Sequence, residues 1–398
     1  MLQRVFGRAR IGRASLVCAA VAVLVGASGS AGAASTTVPC SAGGAGLVAA
    51  VTAANTAGGG TINLASDCTY SLAVANNPTD GGNGLPVIVS RITVNGHETT
   101  IAGNNSHFRI LEVLGAQGGA LTVNGITITG GHVQGPGGGL FNNEGTVILN
   151  HVLVSGNSSG GGGGGIATGT IGTGPVGVMT LNNSEVSGNT VPLGGNGGGG
   201  GGGILNHAGT LTLNKSIVDH NSAPGGGGIA SGTGTGNTEG GSLVTLNKSE
   251  ISDNTAVGGP FSGGGGIANG GDLVSNKSEI SGNTAPGSNG GGLLNHASAT
   301  LNKTEVSGNS ALDDGAGNTG VGGGIANFNF GIPGAPAPTL VLNRSEVTEN
   351  AVSADGIGGG IANPDFFGPG FVTLNQTDVD ENTPDNCFPA GSIAGCTG

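Results

Sequence analysis

Leu246-Asn247-Lys248-Ser249-Glu250-Ile251-Ser252-Asp253-Asn254 recurs in eight versions between residues 149 and 382. Aligned on the Asn that follows the Leu, the copies form the column Asn150, Asn182, Asn214, Asn247, Asn276, Asn302, Asn343 and Asn375, spaced by 32, 32, 33, 29, 26, 41 and 32 residues. Seven residues on, a second column runs unbroken: Asn157, Asn189, Asn221, Asn254, Asn283, Asn309, Asn350 and Asn382. Three residues before it lies an apolar column from Val154 to Val379. Between copies, glycine runs end in one apolar residue, such as Ile229, Ile267 or Leu293. Two residues past that, six of eight positions are Asn, and the other two are Thr168 and Ser231.

A period of 20–50 residues indicates a solenoid, propeller or array. The apolar segments, three to five residues long, are too short for helices. They alternate, as in Thr212-Leu213 and Glu250-Ile251, which is the signature of strands with one buried face. No Trp-Asp blade motif occurs, and the chain has no Trp. About three short strands per unit, joined by bends, make one coil of a parallel β-helix. Asn tolerates the left-handed backbone that a bend requires. Stacked about 4.8 Å apart, Asn amides can bond coil to coil, which offsets the cost of burying them.

The pattern Gly-Gly-Gly-[Ile/Leu]-x-Asn…Leu-Asn-x-Ser-x-Val-Ser-Gly-Asn resembles the right-handed parallel β-helix repeats of the pectin lyase-like superfamily. It is also similar to the repeats of polymorphic outer-membrane proteins. The resemblance covers roughly residues 85–382. It implies an all-β, single-stranded right-handed parallel β-helix, the sense that parallel crossovers take. It does not imply one function, because that superfamily holds lyases, hydrolases and adhesins.

Residues 1–33 read as a secretory signal: Arg4, Arg8, Arg10 and Arg13, an apolar run from Ser15 to Ala27, then Ala31-Gly32-Ala33 for cleavage. Residues 34–398 are expected to form one domain, with a cap over 34–75, coils over 76–382 and a C-terminal cover over 383–398. Gly46 to Asn55 reads as a capping helix with Leu47, Val48, Val51 and Ala54 on one face. Counting the early units at Ile92–Gly96 and Leu121–Ile126, about ten coils are expected, a rod of about 50 Å. No hydrophobic tail or sorting signal follows, so the expectation is a secreted protein, loosely wall-associated at most, with no membrane span after processing.

Removing the signal leaves 7 basic against 23 acidic residues, a net charge of −16. That excludes nucleic acid and anionic membranes as electrostatic partners. It also repels polyanions unless a cation bridges. Four cysteines remain, and they allow three pairings. Sequence locality favours Cys40–Cys68 and Cys387–Cys396, one staple at each end, over free thiols or a metal site.

Candidate chemistry is sparse. Lys215, Lys248, Lys277, Lys303 and Arg344 form one charged column, and Glu185, Glu250, Glu279, Glu305 and Glu346 another, two residues on. They read as mutually neutralising surface charge, with a cation- or sugar-binding ladder as the alternative. His207 and His296 share a repeat position but lie three coils apart, too far to hold one metal ion. Asp313-Asp314 matches one element of the polygalacturonase pattern without the others and reads as an exposed loop. Arg109, beside His107 and Glu112, is the best acid–base cluster. Phe328, Phe330, Phe366, Phe367 and Phe371 cluster in the loops before the last two repeats and are the leading candidates for a binding patch. No catalytic residue, cofactor or metal is assigned. The functional expectation is a structural, adhesin-like or glycan-binding protein whose partner is an extracellular polysaccharide or cell-surface glycan. A polysaccharide lyase or glycoside hydrolase is the alternative.

Overall fold

The computed structural model describes residues 34–397 apart from 105–106, 170–175, 195–199, 233–240, 260–261, 332–335 and 369. Residues 1–33, the expected secretory signal, lie outside the described residues. One coil shows how the sequence folds. Its first strand is Leu243–Asn247, its second Glu250–Ser252, a short third Thr255–Ala256, and its last Ile267–Asn269. Each pairs in parallel with the equivalent segment of the neighbouring coil, Leu243 opposite Asp272, Glu250 opposite Glu279 and Ile267 opposite Leu293. Along the rod the first and second strands build a 21-stranded sheet, and the last strands a 10-stranded sheet from Leu111–Leu114 to Cys387–Phe388. The chain is a parallel β-helix.

Period-2 alternation sends Val244 and Leu246 inward while Leu243, Thr245 and Asn247 stay half-buried. Val244, Leu246, Ile251 and Ile267 all have no solvent exposure. Each such side chain contributes about 1.5–3 kcal/mol, and the same four columns repeat down the rod. One coil departs from the pattern: Ser275 stands where Leu246 and Leu301 stand in its neighbours, fully buried and bonded to Thr304 at 2.9 Å.

The bends correct the expectation for Asn. The Asn of the first column remains in its strand, and the residue after it takes the left-handed conformation. His151, Asn183, Lys215, Lys248, Lys277, Lys303, Arg344 and Gln376 have φ between 46° and 54°. At the next bend the residue before the second-column Asn does so: Asp253 at 54°, Gly282 at 63°, Glu349 at 56°. One left-handed residue turns the chain sharply without breaking the stacking. The Lys248 N–H still donates to the Asn276 carbonyl of the next coil, at 2.9 Å. In the glycine run, Gly264 has φ 68°, and a Cβ there would stand 2.2 Å from the Ile267 carbonyl oxygen, so no side chain fits.

Stacking begins upstream of the regular repeat. Ser35–Val38 pairs with Thr61–Leu64, and Gly59–Asn63 pairs with Arg91–Asn95. First strands recur eleven times, from Gly59–Leu64 to Phe371–Asn375. The helix Gly43–Thr56 lies over the N-terminal end with Leu47, Ala50, Val51 and Ala54 buried. It presses so closely that a Cβ on Gly44 would stand 2.0 Å from the Ser71 carbonyl oxygen. Asn55 fastens its end, donating to the Val87 carbonyl at 2.7 Å and accepting from the Val89 N–H at 3.1 Å. The disulfides Cys40–Cys68 and Cys387–Cys396 both form. Among the described residues no helix is long and apolar enough to cross a membrane.

Candidate functional site

The two Asn columns form ladders of different character. In the second, each amide is buried and fully engaged. Asn254 Nδ2 donates to Asn283 Oδ1 at 2.9 Å, to the Val218 carbonyl at 2.8 Å and to the Ser252 carbonyl at 2.9 Å. In the first, each amide bonds to the preceding coil, half-buried for Asn276, Asn302 and Asn343 and exposed for Asn375: Asn276 to Asn247 at 3.0 Å, Asn302 to Asn276 at 3.0 Å, Asn343 to Asn302 at 2.8 Å and Asn375 to Asn343 at 2.8 Å. An amide nitrogen carries two N–H donors, and in this column the ladder uses one.

Beside the first ladder lies an open groove of about 410 Å³. Four successive pairs line it: Asn276-Lys277, Asn302-Lys303, Asn343-Arg344 and Asn375-Gln376. The left-handed residues put the cations here, because φ near 53° points each side chain out of the corner. The Lys and Glu columns form no ion pair with each other. Among the described residues no lysine forms an ion pair. The carboxylates take hydroxyl donors from their own strand instead, Ser281 to Glu279 at 2.7 Å and Ser307 to Glu305 at 3.0 Å. Arg344 Nε donates to Gln376 Oε1 at 3.0 Å.

The five phenylalanines do not form one surface. Phe328 is buried, packed on Leu294 and Ala326, which corrects its assignment to an exposed patch. Phe330 is half-buried against it, with ring centroids 5.2 Å apart. Phe366, Phe367 and Phe371 are 60 %, 57 % and 62 % exposed. Phe366 touches the buried group through Phe328, centroids 5.9 Å apart. Phe371 opens the first strand of the last coil and faces outward. Beneath this group His296 stacks on Phe330 at 4.1 Å and donates from Nδ1 to the Phe328 carbonyl at 3.0 Å. Burial holds its pKa down, at about 4, so the ring is neutral.

Arg109 and Glu112 pair at 3.2 Å with no solvent exposure on either side chain. Partners that the sequence did not suggest complete the cluster. Asn83 donates to Glu112 Oε2 at 3.0 Å and accepts from Arg109 at 3.0 Å, and the Asp80 carbonyl accepts from Arg109 at 2.7 Å. The guanidinium also lies over the Phe141 ring, 5.2 Å from its centre. Burial raises the Glu112 pKa to about 7, with Asp80 adding to it and Arg109 opposing. His107 is not a member; its ring meets His132 edge-on, 5.5 Å away. The cluster fastens the irregular 79–83 segment and has no surface to offer a polymer.

The Asp313 and Asp314 carboxylates close their own turn. Asp313 accepts from the Gly315 N–H at 2.6 Å, and Asp314 accepts from the Ala316 N–H and the Asn318 side chain, both at 2.8 Å. These bonds, the Asn318 amide first, hold the Asp314 pKa below the usual carboxylate range. Among the described residues no group of three or more His, Cys, Asp or Glu could hold a metal.

No family model matches the chain. No curated protein matches it either. Among solved structures it is similar to the A-module of mannuronan C-5 epimerase AlgE4 of Azotobacter vinelandii, with TM-score 0.46 and 13 % identity over 89 % of this chain and 96 % of that one. It is similar to pectate lyase Pel9A, with TM-score 0.43 and 13 % identity over 89 % and 82 %. The AlgE6 A-module of A. vinelandii gives TM-score 0.40 and 14 % identity over 84 % and 95 %. These likenesses extend no residue role to this chain.

Proposed function

We propose that this protein is an exported β-helix that binds a polysaccharide without cleaving it. The observation that carries the reading is the trio Phe366, Phe367 and Phe371, each more than half exposed on the last coils. Phe108, Phe141 and Phe328 are nearly fully buried, and Phe330 is half-buried. Exposed rings offer apolar area that water covers poorly and a flat apolar face covers well. A pyranose ring presents such a face. The groups that would serve as acid and base are engaged elsewhere: Arg109 and Glu112 are sealed in the core, and Asp313 and Asp314 cap their own loop. Two disulfides support an oxidising destination.

The test is co-sedimentation of the purified protein with a panel of insoluble neutral and acidic polysaccharides, with reducing ends and unsaturated products followed in the same tubes. The reading expects retention on at least one polymer, no product, and at least a tenfold loss of retention in Phe366→Ala/Phe367→Ala. Product from any polymer overturns it in favour of a lyase or hydrolase. Equal retention of the double variant removes the phenylalanine platform.

A further inference from the structure

Export leaves seven basic residues, and their placement is not random. Arg109 is buried and Arg91 lies in an early coil. The other five, Lys215, Lys248, Lys277, Lys303 and Arg344, occupy one column on five consecutive coils, each exposed and left-handed. We infer that this column and the groove beside it form a binding site for a linear polyanion carrying one carboxylate or phosphate per repeat. The inference names the charge class of the polymer, and it rests on the polymer-binding reading above only in taking the ligand to be a polymer.

Three observations carry it. First, the groove presents donors: cations, and one N–H per ladder amide beyond the one the ladder uses. The amide oxygens of Asn276, Asn302 and Asn343 already accept from the next coil of the ladder. Second, none of the lysines is ion-paired among the described residues, and Arg344 is engaged only through Nε, by Gln376. Glu279 and Glu305 are turned to serine hydroxyls. Third, the spacing is imposed by the fold. Successive coils stack about 4.8 Å apart, close to the length of one sugar unit in an extended chain, so one anionic group can meet one cation on each coil.

The column also resolves an apparent conflict with the net charge of −16. Net charge governs approach from a distance, but at physiological salt charges are screened beyond about 8 Å. A ligand seated in the groove meets cations within that distance. The left-handed positions add specificity of place. Isolated left-handed residues at a helix corner favour Asn or Gly, yet this column carries Lys or Arg on five successive coils.

The experiment titrates the purified protein with polygalacturonate, with fully methyl-esterified polygalacturonate and with long-chain inorganic polyphosphate. EDTA is present so that no divalent cation bridges, and each titration is run at low and high NaCl. Lys277→Gln/Lys303→Gln/Arg344→Gln is the loss variant. Gln already fills this position at Gln376 with φ 52°, so the corner accepts it. Gln376→Lys is the gain variant. The inference expects binding of at least one of the two polyanions that weakens with salt, and clearly weaker, salt-insensitive binding of the neutral ester. It expects about thirtyfold weaker binding by the triple variant, the combined effect of three exposed ion contacts, and severalfold tighter binding by Gln376→Lys. Binding of polyphosphate alone assigns a phosphate polymer, and binding of polygalacturonate alone assigns a uronate polymer; both support the site. No polyanion binding, equal binding of the ester, or a triple variant within twofold of the parent overturns it. The Phe366→Ala/Phe367→Ala protein separates the two proposals, since its losses fall on neutral and charged polymers alike.

Discussion

Asn254 and Asn283, one coil apart, are joined twice: the Asn254 side-chain amide and the Asn254 backbone N–H both donate to Asn283 Oδ1, at 2.9 and 3.0 Å. A backbone donor fixes that atom as oxygen, so the direction of this ladder is set by the main chain. Asn283→Ala would leave the buried Asn254 N–H without its acceptor, take one of three acceptors from the Asn254 side chain and remove a donor from the buried Ile251 carbonyl. We expect a loss of about 2–4 kcal/mol, against less than about 1 kcal/mol for Asn276→Ala in the half-buried ladder. Chemical denaturation of the two variants checks the order.

The left-handed column gives a second test. Lys277, at φ 53°, holds a backbone that costs a non-glycine residue about 1 kcal/mol. Lys277→Gly should therefore leave stability unchanged or raise it by about 0.5–1 kcal/mol. Lys277→Val, with a branched Cβ at the same φ, should lower it by about 1–3 kcal/mol. Both are read as shifts in the denaturation midpoint.

Ser275 interrupts the leucine column, and its hydroxyl meets Thr304 where most coils carry serine. Restoring the repeat consensus with Ser275→Leu/Thr304→Ser should raise stability by about 1–2 kcal/mol through added apolar burial. Ser275→Leu alone should gain less, because its side chain meets the Thr304 methyl. A double-mutant cycle should show coupling of at least about 0.5 kcal/mol.

His296 makes stability depend on pH. Its folded pKa, about 4, lies below its unfolded value near 6.5. Between those values the unfolded chain binds more protons, so stability rises with pH and is lost as pH falls from 6.5 through 4. The ring retains some contact with solvent, so about 1–2 kcal/mol is expected. Glu112 acts in the opposite sense. Its raised pKa means that stability present below about 4.5 is lost as pH rises through 7. The difference between the parent and His296→Phe isolates the histidine: measured from melting curves, it should move in the parent's favour by about 1–2 kcal/mol between pH 4.5 and pH 7.

The repeat made the fold legible because each coil must place the same apolar residues inward. Residue spacing alone therefore located the strands, the core columns and the aligned Asn positions. The chemistry of the corner was not legible in the same way. Lys248 and Glu250 are two apart, which in a strand puts them on one face. The left-handed backbone at Lys248 breaks the strand between them, so the rule does not apply, and no ion pair forms. Phe328 and Phe366 read alike in sequence, each in the loop after a last strand. Only packing against Leu294 and Ala326 sends the first inward. Asp80 and Asn83 had no signal, because they reach Arg109 from a segment outside the repeat.

The ladders also set the electrical symmetry of the rod. In the first column the side-chain amides donate toward the N-terminus, from Asn375 down to Asn63 on Ser35. In the second they donate toward the C-terminus, from Asn157 up to Asn382 on Asn386. Amide dipoles of similar size therefore run along the axis in opposite directions. A third, shorter ladder, Asn269 on Asn295 on Asn327 on Asn363, runs with the second. Each corner of the coil therefore carries its own line of amide dipoles with its own sense, and a charged ligand is sorted first by which flank it meets.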